Sequence, residues 1–257
     1  MTNCASVLFV SLSEDHDRPL AVITGVGRTR SIGAGIARRL APTHDLVLVY
    51  SSAYDNRVHG EAGQVEELRA QLQESGCSVT LVEVDLAVPE SIQAVAAALP
   101  RPASVLVLSH TESVDSSIMD TTVESFDRHY AVNVRANWLL IRAFARQAPG
   151  WGRIIALTSD HYVHNLPYGV TKGALDRLVL AAPRELAELN ITANVINPGP
   201  VDTGWMTDEI RAAGIAQQPS GRLGTPDDIG AAIAFLVSDE GSWINGQLIK
   251  VDGGFSA

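Results

Sequence analysis

The chain has 257 residues, 46% hydrophobic and 19% charged, enough to bury one sizeable core. A formal net charge of −10 argues against a nucleic-acid groove or an anionic membrane surface as partner. Two cysteines, Cys4 and Cys77, make no disulfide framework, no Cys/His spacing suits a metal, and no apolar run reaches membrane-spanning length.

Residues 1–18 read as an N-terminal extension that ends in a polar run. Its apolar stretch Val7 to Val10 is short and has no positive region before it, so a signal peptide is not expected and the location is cytoplasmic. Residues 20–23 form an apolar strand stopping at Thr24-Gly25, and after a glycine-rich turn residues 32–40 carry apolar side chains at helical spacing. Strands follow at 46–50, 79–84, 105–108, 154–157, 192–196 and 247–251. A polar segment fills 51–63, and helices are expected at 64–74, 90–99 and, as one long element, 123–147. A further helix after the fifth strand carries Tyr168 and Lys172.

Short, non-alternating apolar strands separated by helices predict an α/β fold. The expected form is a Rossmann-type doubly wound sheet of about seven parallel strands, with helices on both faces. No repeat, low-complexity stretch or linker divides residues 19–257, which read as a single domain. Such a sheet binds ligands beyond the carboxyl ends of its strands. Thr24-Gly25, Asp85, Ser109, Ser159 and Asn197-Pro198-Gly199 all stand there.

The stretch from Thr24 to Gly35 joins the first strand to the first helix. Its glycines let the backbone turn and approach a pyrophosphate, whose charge suits the free N–H groups at a helix start. After the second strand, Tyr50-Ser51-Ser52-Ala53 supplies no carboxylate before Asp55 to take a ribose 2′-hydroxyl. Arg28 is placed either to face a 2′-phosphate or to lie solvated in its loop. NADP(H) is therefore favoured, and NAD(H) stays open.

Tyr168 and Lys172 are four residues apart, one helical turn. A phenol has a pKa near 10, and an ammonium beside it favours the phenolate. Charges ~4 Å apart at an effective dielectric of ~20 interact by about 4 kcal/mol, roughly three pK units. Ser159, a short loop upstream, can hold a carbonyl oxygen while the tyrosine delivers or removes its proton.

These pieces also occur with Ile32-Gly33, Asp85-Leu86, Ala131-Val132-Asn133, Thr158-Ser159, Asn197 through Thr203, Gly221 through Asp228 and Val251 through Gly254. In this order and spacing the chain resembles the short-chain dehydrogenase/reductase family over residues 19–257. Within the classical type it is similar to 3-oxoacyl-acyl-carrier-protein reductases. The resemblance implies a catalytic tetrad on Asn133, Ser159, Tyr168 and Lys172. Tyr168 would be the general acid/base, Ser159 would orient the carbonyl, and Asn133 would hold a proton-relay water. Lys172 would bind the nicotinamide ribose and lower the tyrosine pKa.

Cofactor contacts are implied at Gly25, Arg28, Ser31, Ile32 and Gly33, at Ser51, and at Asp85 with Leu86 beside the adenine. They are also implied at Ser109 and His110, at Tyr168 and Lys172, and at Pro198, Gly199, Val201 and Thr203 around the nicotinamide. The implied activity is hydride transfer between NAD(P)(H) and a small-molecule carbonyl or alcohol, in a homo-oligomer, tetramer or dimer. A cofactor-binding protein of the same fold with a non-redox or regulatory role is the alternative.

The chain departs from the family at several points. Leu108-Ser109-His110-Thr111 replaces Asn-Asn-Ala-Gly, and His110 and Glu112 bring bulk and polarity there. The glycine loop is long, and Ser31 through Ala37 is similar to the enoyl-acyl-carrier-protein reductase branch. That branch has a wider tyrosine–lysine spacing, so carbonyl reduction is the better reading. Ser159 lies only nine residues before Tyr168, which makes a short loop that carries His161 and His164, either solvated or near the site. Trp205-Met206 is the candidate for an apolar lid.

Overall fold

Strands form where the sequence places its unbroken apolar runs. The computed structural model describes residues 18–60, 63–204 and 206–257. The extension, apart from Arg18, and Trp205 lie outside the described residues. The strands are β1 (Leu20–Thr24), β2 (Asp45–Tyr50), β3 (Val79–Glu83), β4 (Val105–Leu108), β5 (Gly152–Leu157), β6 (Ile191–Asn197) and β7 (Leu248–Lys250). They make one seven-stranded sheet in the order β3-β2-β1-β4-β5-β6-β7, every pair parallel.

In chain order the helices are α1 (Ile32–Leu40), α2 (Ser52–His59), α3 (Val65–Gln73), α4 (Ser91–Ala97), α5 (Val123–Tyr130), α6 (Ala136–Gln147), α7 (Leu166–Glu185), α8 (Asp208–Gln217) and α9 (Pro226–Val237). Successive strand residues point to opposite faces, and the two cores follow that alternation. Leu20 and Val22 pack with Ile92, Leu140, Phe144, Leu175 and Val179 of α4, α6 and α7. Ala21 and Ile23 pack with Ile36, Leu40, Leu68, Ile229 and Ile233 of α1, α3 and α9. The Rossmann-type sheet covered on both faces is as expected from the sequence.

Gly35 serves packing between helices. A Cβ there would lie 2.4 Å from the Pro226 carbonyl oxygen, so α1 and α9 cross at backbone contact. Glycine permits that approach and gives the first helix a fixed seat on the ninth.

Three expectations change. The polar segment after β2 is helical: Ser51 caps α2 by accepting from Tyr54 N at 3.3 Å, and Gly60 closes it in the left-handed conformation at φ 68°. Its composition hides it, because α2 has no apolar stripe for periodicity to find. The long helix expected over 123–147 is interrupted by a π-helical turn, Ala131–Arg135, that contains Asn133. Helices α8 and α9 add to the expected set. The second starts on a capping box, with Thr225 Oγ1 and the Asp228 carboxylate each accepting the other's backbone N–H.

Because β1 lies between β2 and β4, the chain leaves it in opposite directions on its two sides. The crevice this opens at the carboxyl ends of β1 and β4 is where ligands of such sheets bind.

Candidate active site

A cleft of about 1410 Å³ occupies that crevice. Of the expected site residues, all but Gly33 and Asn133 line it. Gly33 is buried in the first turn of α1, and Asn133 is buried behind the wall.

The glycine loop is shaped by its neighbour after β4. Gly25 has φ 77°, and a Cβ on it would stand 2.8 Å from the His110 backbone. Only glycine meets both demands. Ser31 caps α1, its Oγ accepting from Ala34 N at 3.1 Å, and no acidic residue occupies the first turn. The positive end of that helix therefore faces the cleft with no carboxylate of its own to neutralise it.

Arg28 is not a solvated loop residue. Its Nη1 donates to Thr203 O at 3.3 Å, and its Nε lies 3.7 Å from Asp55 Oδ1. Burial pushes the Asp55 carboxyl up to about 6, and the Arg28 charge opposes that shift.

His110 fills the place of a small residue and acts as a strut. Burial, with the Lys172 charge adding to it, pushes its pKa down to about 3, so the ring is neutral. Nε2 lies 3.1 Å from Val132 O, which only accepts, so Nε2 carries the proton. Nδ1 then accepts from the Thr24 hydroxyl at 2.7 Å. The end of β1 is thus joined to the π-turn.

Glu112 is 1% exposed and charge-paired twice. Arg57 Nη2 donates to both its oxygens at 2.7 Å, and Arg128 Nε donates to Oε2 at 3.0 Å. Arg128 also reaches Asp85 Oδ2 at 3.2 Å. One ion-pair network therefore joins α2, the loop after β4, α5 and the residue expected beside the adenine. Arg57, Arg128, Tyr54 and the C-terminal Phe255 line the cleft without having been found in the sequence. The caps of α2 were the available signal for Tyr54 and Arg57; nothing in the sequence marks Phe255.

Asn133 holds this loop from behind. Its Oδ1 accepts from Glu112 N at 2.7 Å and Thr111 Oγ1 at 3.2 Å. Its Nδ2 donates to Glu112 O and Thr171 Oγ1, both at 2.9 Å. The Asn133 carbonyl accepts from Asn137 Nδ2 at 2.7 Å. The whole side chain is engaged by protein.

At the other end of the cleft, Ser159 and Tyr168 face each other. Burial raises the Tyr168 pKa above its ordinary value, the Ser159 hydroxyl opposes this, and the Asp160 charge adds to it. The expected lowering by Lys172 does not occur here. The ammonium donates to Leu157 O at 2.8 Å and lies over the tyrosine ring, 5.5 Å from its centroid, with its hydrogen bond made to the strand end. Burial sets the direction, and the phenol is protonated at neutral pH, the form that can give a proton. Burial also pushes Lys172 down to about 8, with Asp176 opposing.

His161 lines the cleft, whereas His164, with φ 62°, does not. Met206 lines it as well. Among the described residues no group of three or more His, Cys, Asp or Glu side chains is placed to hold a metal, and no helix is long and apolar enough to cross a membrane. The geometry suits an elongated, anionic nucleotide at the α1 end, with a polar, proton-donating pocket at the Tyr168 end.

Comparison with known proteins identifies the family. The family described as enoyl-(acyl carrier protein) reductase matches residues 25–256. The uncharacterized oxidoreductase YjdA of Bacillus subtilis is 36% identical, over 92% of this chain and 96% of its own. A blue fluorescent protein from a metagenomic library, solved with NADPH, superposes with a TM-score of 0.82 at 30% identity, covering 93% of this chain and 98% of its own. L-Sorbose reductase from Gluconobacter frateurii, solved with NADPH and L-sorbose, superposes with a TM-score of 0.81 at 26% identity, covering 93% and 96%. With a parallel Rossmann-type sheet, an anion-ready glycine loop and a serine–tyrosine–lysine cluster across one cleft, the chain belongs to the short-chain dehydrogenase/reductase family of NAD(P)-dependent oxidoreductases.

Proposed function

We propose that the protein is an NADP(H)-dependent carbonyl reductase, acting on a small ketone or aldehyde. The observation that carries this reading is that Ser159, Tyr168 and Lys172 line one cleft wall, with the lysine Nζ 5.5 Å from the centre of the tyrosine ring. A bound nicotinamide would supply the hydride. The protein's own part is to orient and to protonate. Ser159 donates a hydrogen bond to the carbonyl oxygen, and Tyr168 gives that oxygen its proton as charge develops on it. Lys172 supplies positive charge behind the tyrosine and a donor for the cofactor ribose. Asn133 acts from behind the wall by fixing the loop that carries His110 and Glu112.

The cofactor would lie from Ser31, Ile32 and Gly33 at the pyrophosphate to Asp85 and Leu86 at the adenine. Its nicotinamide end would run past Ser109 and His110 to Pro198, Gly199, Val201 and Thr203. Arg28, with Ser51, is the reading for the 2′-phosphate, and the NADPH-bound neighbours support that preference. Ser113, Asp115, His161 and Asn165 make the substrate end polar and favour a hydroxylated substrate over a plain acyl chain. No feature of the site favours a non-redox role. A cytoplasmic homo-oligomer, tetramer or dimer, completes the proposal.

The test is NADPH and NADH oxidation across ketoses, 3-oxoacyl thioesters and aromatic ketones. Turnover with NADPH on at least one carbonyl class is expected. In Arg28→Ala the NADPH KM should rise ~10-fold, worth about 1.4 kcal/mol, with the NADH KM little changed. Cofactor binding without turnover on any carbonyl would contradict the reading.

A further inference from the structure

The long glycine loop after β1 carries a second arginine, Arg30, that reaches across to the loop after β6. In the sheet β4 and β5 lie between β1 and β6, so the ends of β1 and β6 stand about 14 Å apart. Contacts between the loops that follow these strands therefore bridge the crevice. Two such contacts form. Arg28 Nη1 donates to Thr203 O at 3.3 Å, and Arg30 Nη2 lies 3.7 Å from Asp202 Oδ1. The Arg30 guanidinium also rests on the backbone of Gly204, whose φ is 89°. A Cβ there would stand 2.8 Å from Arg30 Cζ, so glycine is needed for conformation and for contact.

Asp202 is a fixed post for these contacts. Its backbone N–H donates to Gly224 O at 2.9 Å, beside the bridge between Val201 and Gly224. Its Oδ1 accepts from Gly204 N at 2.9 Å, which holds the carboxylate in place. Arg211 of α8 donates through Nε to Asp202 Oδ2 at 3.1 Å. That pair matters to α8, because none of the helix's residues is buried. One carboxylate therefore ties the glycine loop on one side to α8 on the other. Arg28, Thr203 and Gly204 line the cleft, whereas Arg30, Asp202 and Arg211 stand outside the lining. These three charges act on a bound molecule through the backbone they hold.

We infer that Asp202 is a positioning residue for the cofactor: with Arg30 and Arg211 it clasps the glycine loop to the segment after β6, and the clasp opens for the nucleotide to leave. The inference rests on the cofactor lying in the cleft as proposed above, and it needs no carbonyl reduction. A clasp and a bare charge act with opposite signs. The cofactor is an anion, so removing a nearby carboxylate would by Coulomb attraction and repulsion alone hold it longer. Removing the anchor of a clasp releases it sooner. Asp202→Asn separates the two, because the amide oxygen still accepts from Gly204 N while the charge that holds both arginines is lost.

The experiment is stopped-flow release of NADPH, or of NADH where the wild type binds that more tightly. Release is chased with excess oxidised cofactor and read by nicotinamide fluorescence. In Asp202→Asn the release rate should rise ~5-fold, the size expected of partly exposed ion pairs. Arg30→Ala should raise it ~3-fold in the wild-type background and little further in Asp202→Asn, since both changes open the same contact. Asp202→Ser, whose hydroxyl can also accept from Gly204 N, is the second neutral variant if Asn does not fold. Release that slows or stays unchanged in a folded neutral variant would overturn the inference. A role confined to stability belongs to that outcome, with a lower Tm and unchanged release. Release is read without a carbonyl substrate, so failure here is distinguishable from failure of the carbonyl-reductase reading.

Discussion

The two ends of the cleft treat charge in opposite ways. At the adenosine end every arginine described is committed: Arg28 to Asp55, Arg57 to Glu112, and Arg128 to Glu112 and Asp85. At the Tyr168 end a buried lysine donates to a carbonyl oxygen, with a protonated phenol and a serine hydroxyl beside it, and Asp160 and Asp115 in the lining form no ion pair among the described residues. Paired charges hold helices and loops in register and form a rigid frame, and they contribute modestly to stability where exposed. Under-paired, desolvated polar groups respond strongly to new charge, because little solvent screens them. The frame is thus built for binding, and the other end for a reaction in which charge appears on an oxygen.

Substitutions should separate these ends. Ser159→Ala removes a donor to the developing oxyanion, and kcat should fall by ~10²-fold or more while NADPH affinity and Tm hold. A matching loss of cofactor affinity would blur the division. Glu112→Gln acts on the frame. It leaves two arginines facing a neutral group and should cost about 2 kcal/mol, less than a fully buried pair because Arg57 and Arg128 are partly exposed. The corresponding loss in Tm is roughly 4–8 °C, with a higher NADPH KM and a kcat changed less than ~3-fold. A collapse of kcat with normal cofactor binding would place Glu112 at the wrong end.

The smallest effect concerns Asp55. Its carboxyl holds a proton to about pH 6 in the folded chain, against an ordinary carboxylate value of 3.8. The native state therefore binds more protons than the unfolded one between those values, so stability falls as pH rises from about 4 to 6 and stays lowered above. Asp55→Asn should raise stability by about 1–2 kcal/mol at pH 7, read as a Tm gain of a few degrees, and should match the wild type near pH 4. A Tm loss at pH 7 would mean that the Arg28–Asp55 pair stabilises more than burial costs.

The strands, their parallel order and the cluster of Ser159, Tyr168 and Lys172 were legible because apolar runs and fixed spacings record them directly. What was not legible depended on distances across the fold. No spacing relates Arg57 or Arg128 to Glu112, which lie 55 and 16 residues away in sequence. Helix α2 escaped because its few apolar side chains, Ala53 and Val58, form no stripe at helical spacing, although Ser51 and Gly60 marked its ends. The π-turn at Asn133 has no periodicity of its own, and that side chain bonds Thr111, Glu112 and Thr171 rather than lining the cleft. The tyrosine–lysine estimate took the shortest distance the spacing allows. The structure turns the ammonium toward Leu157, and burial then decides the sign.

The central claim is that Tyr168 supplies the proton in carbonyl reduction and nothing essential to cofactor binding. Tyr168→Phe, measured for NADPH dissociation constant and single-turnover reduction in parallel, tests it directly. The account predicts a dissociation constant within ~2-fold of the wild type and a reduction rate lower by ~10³-fold. Equal reduction rates in the two proteins would contradict it.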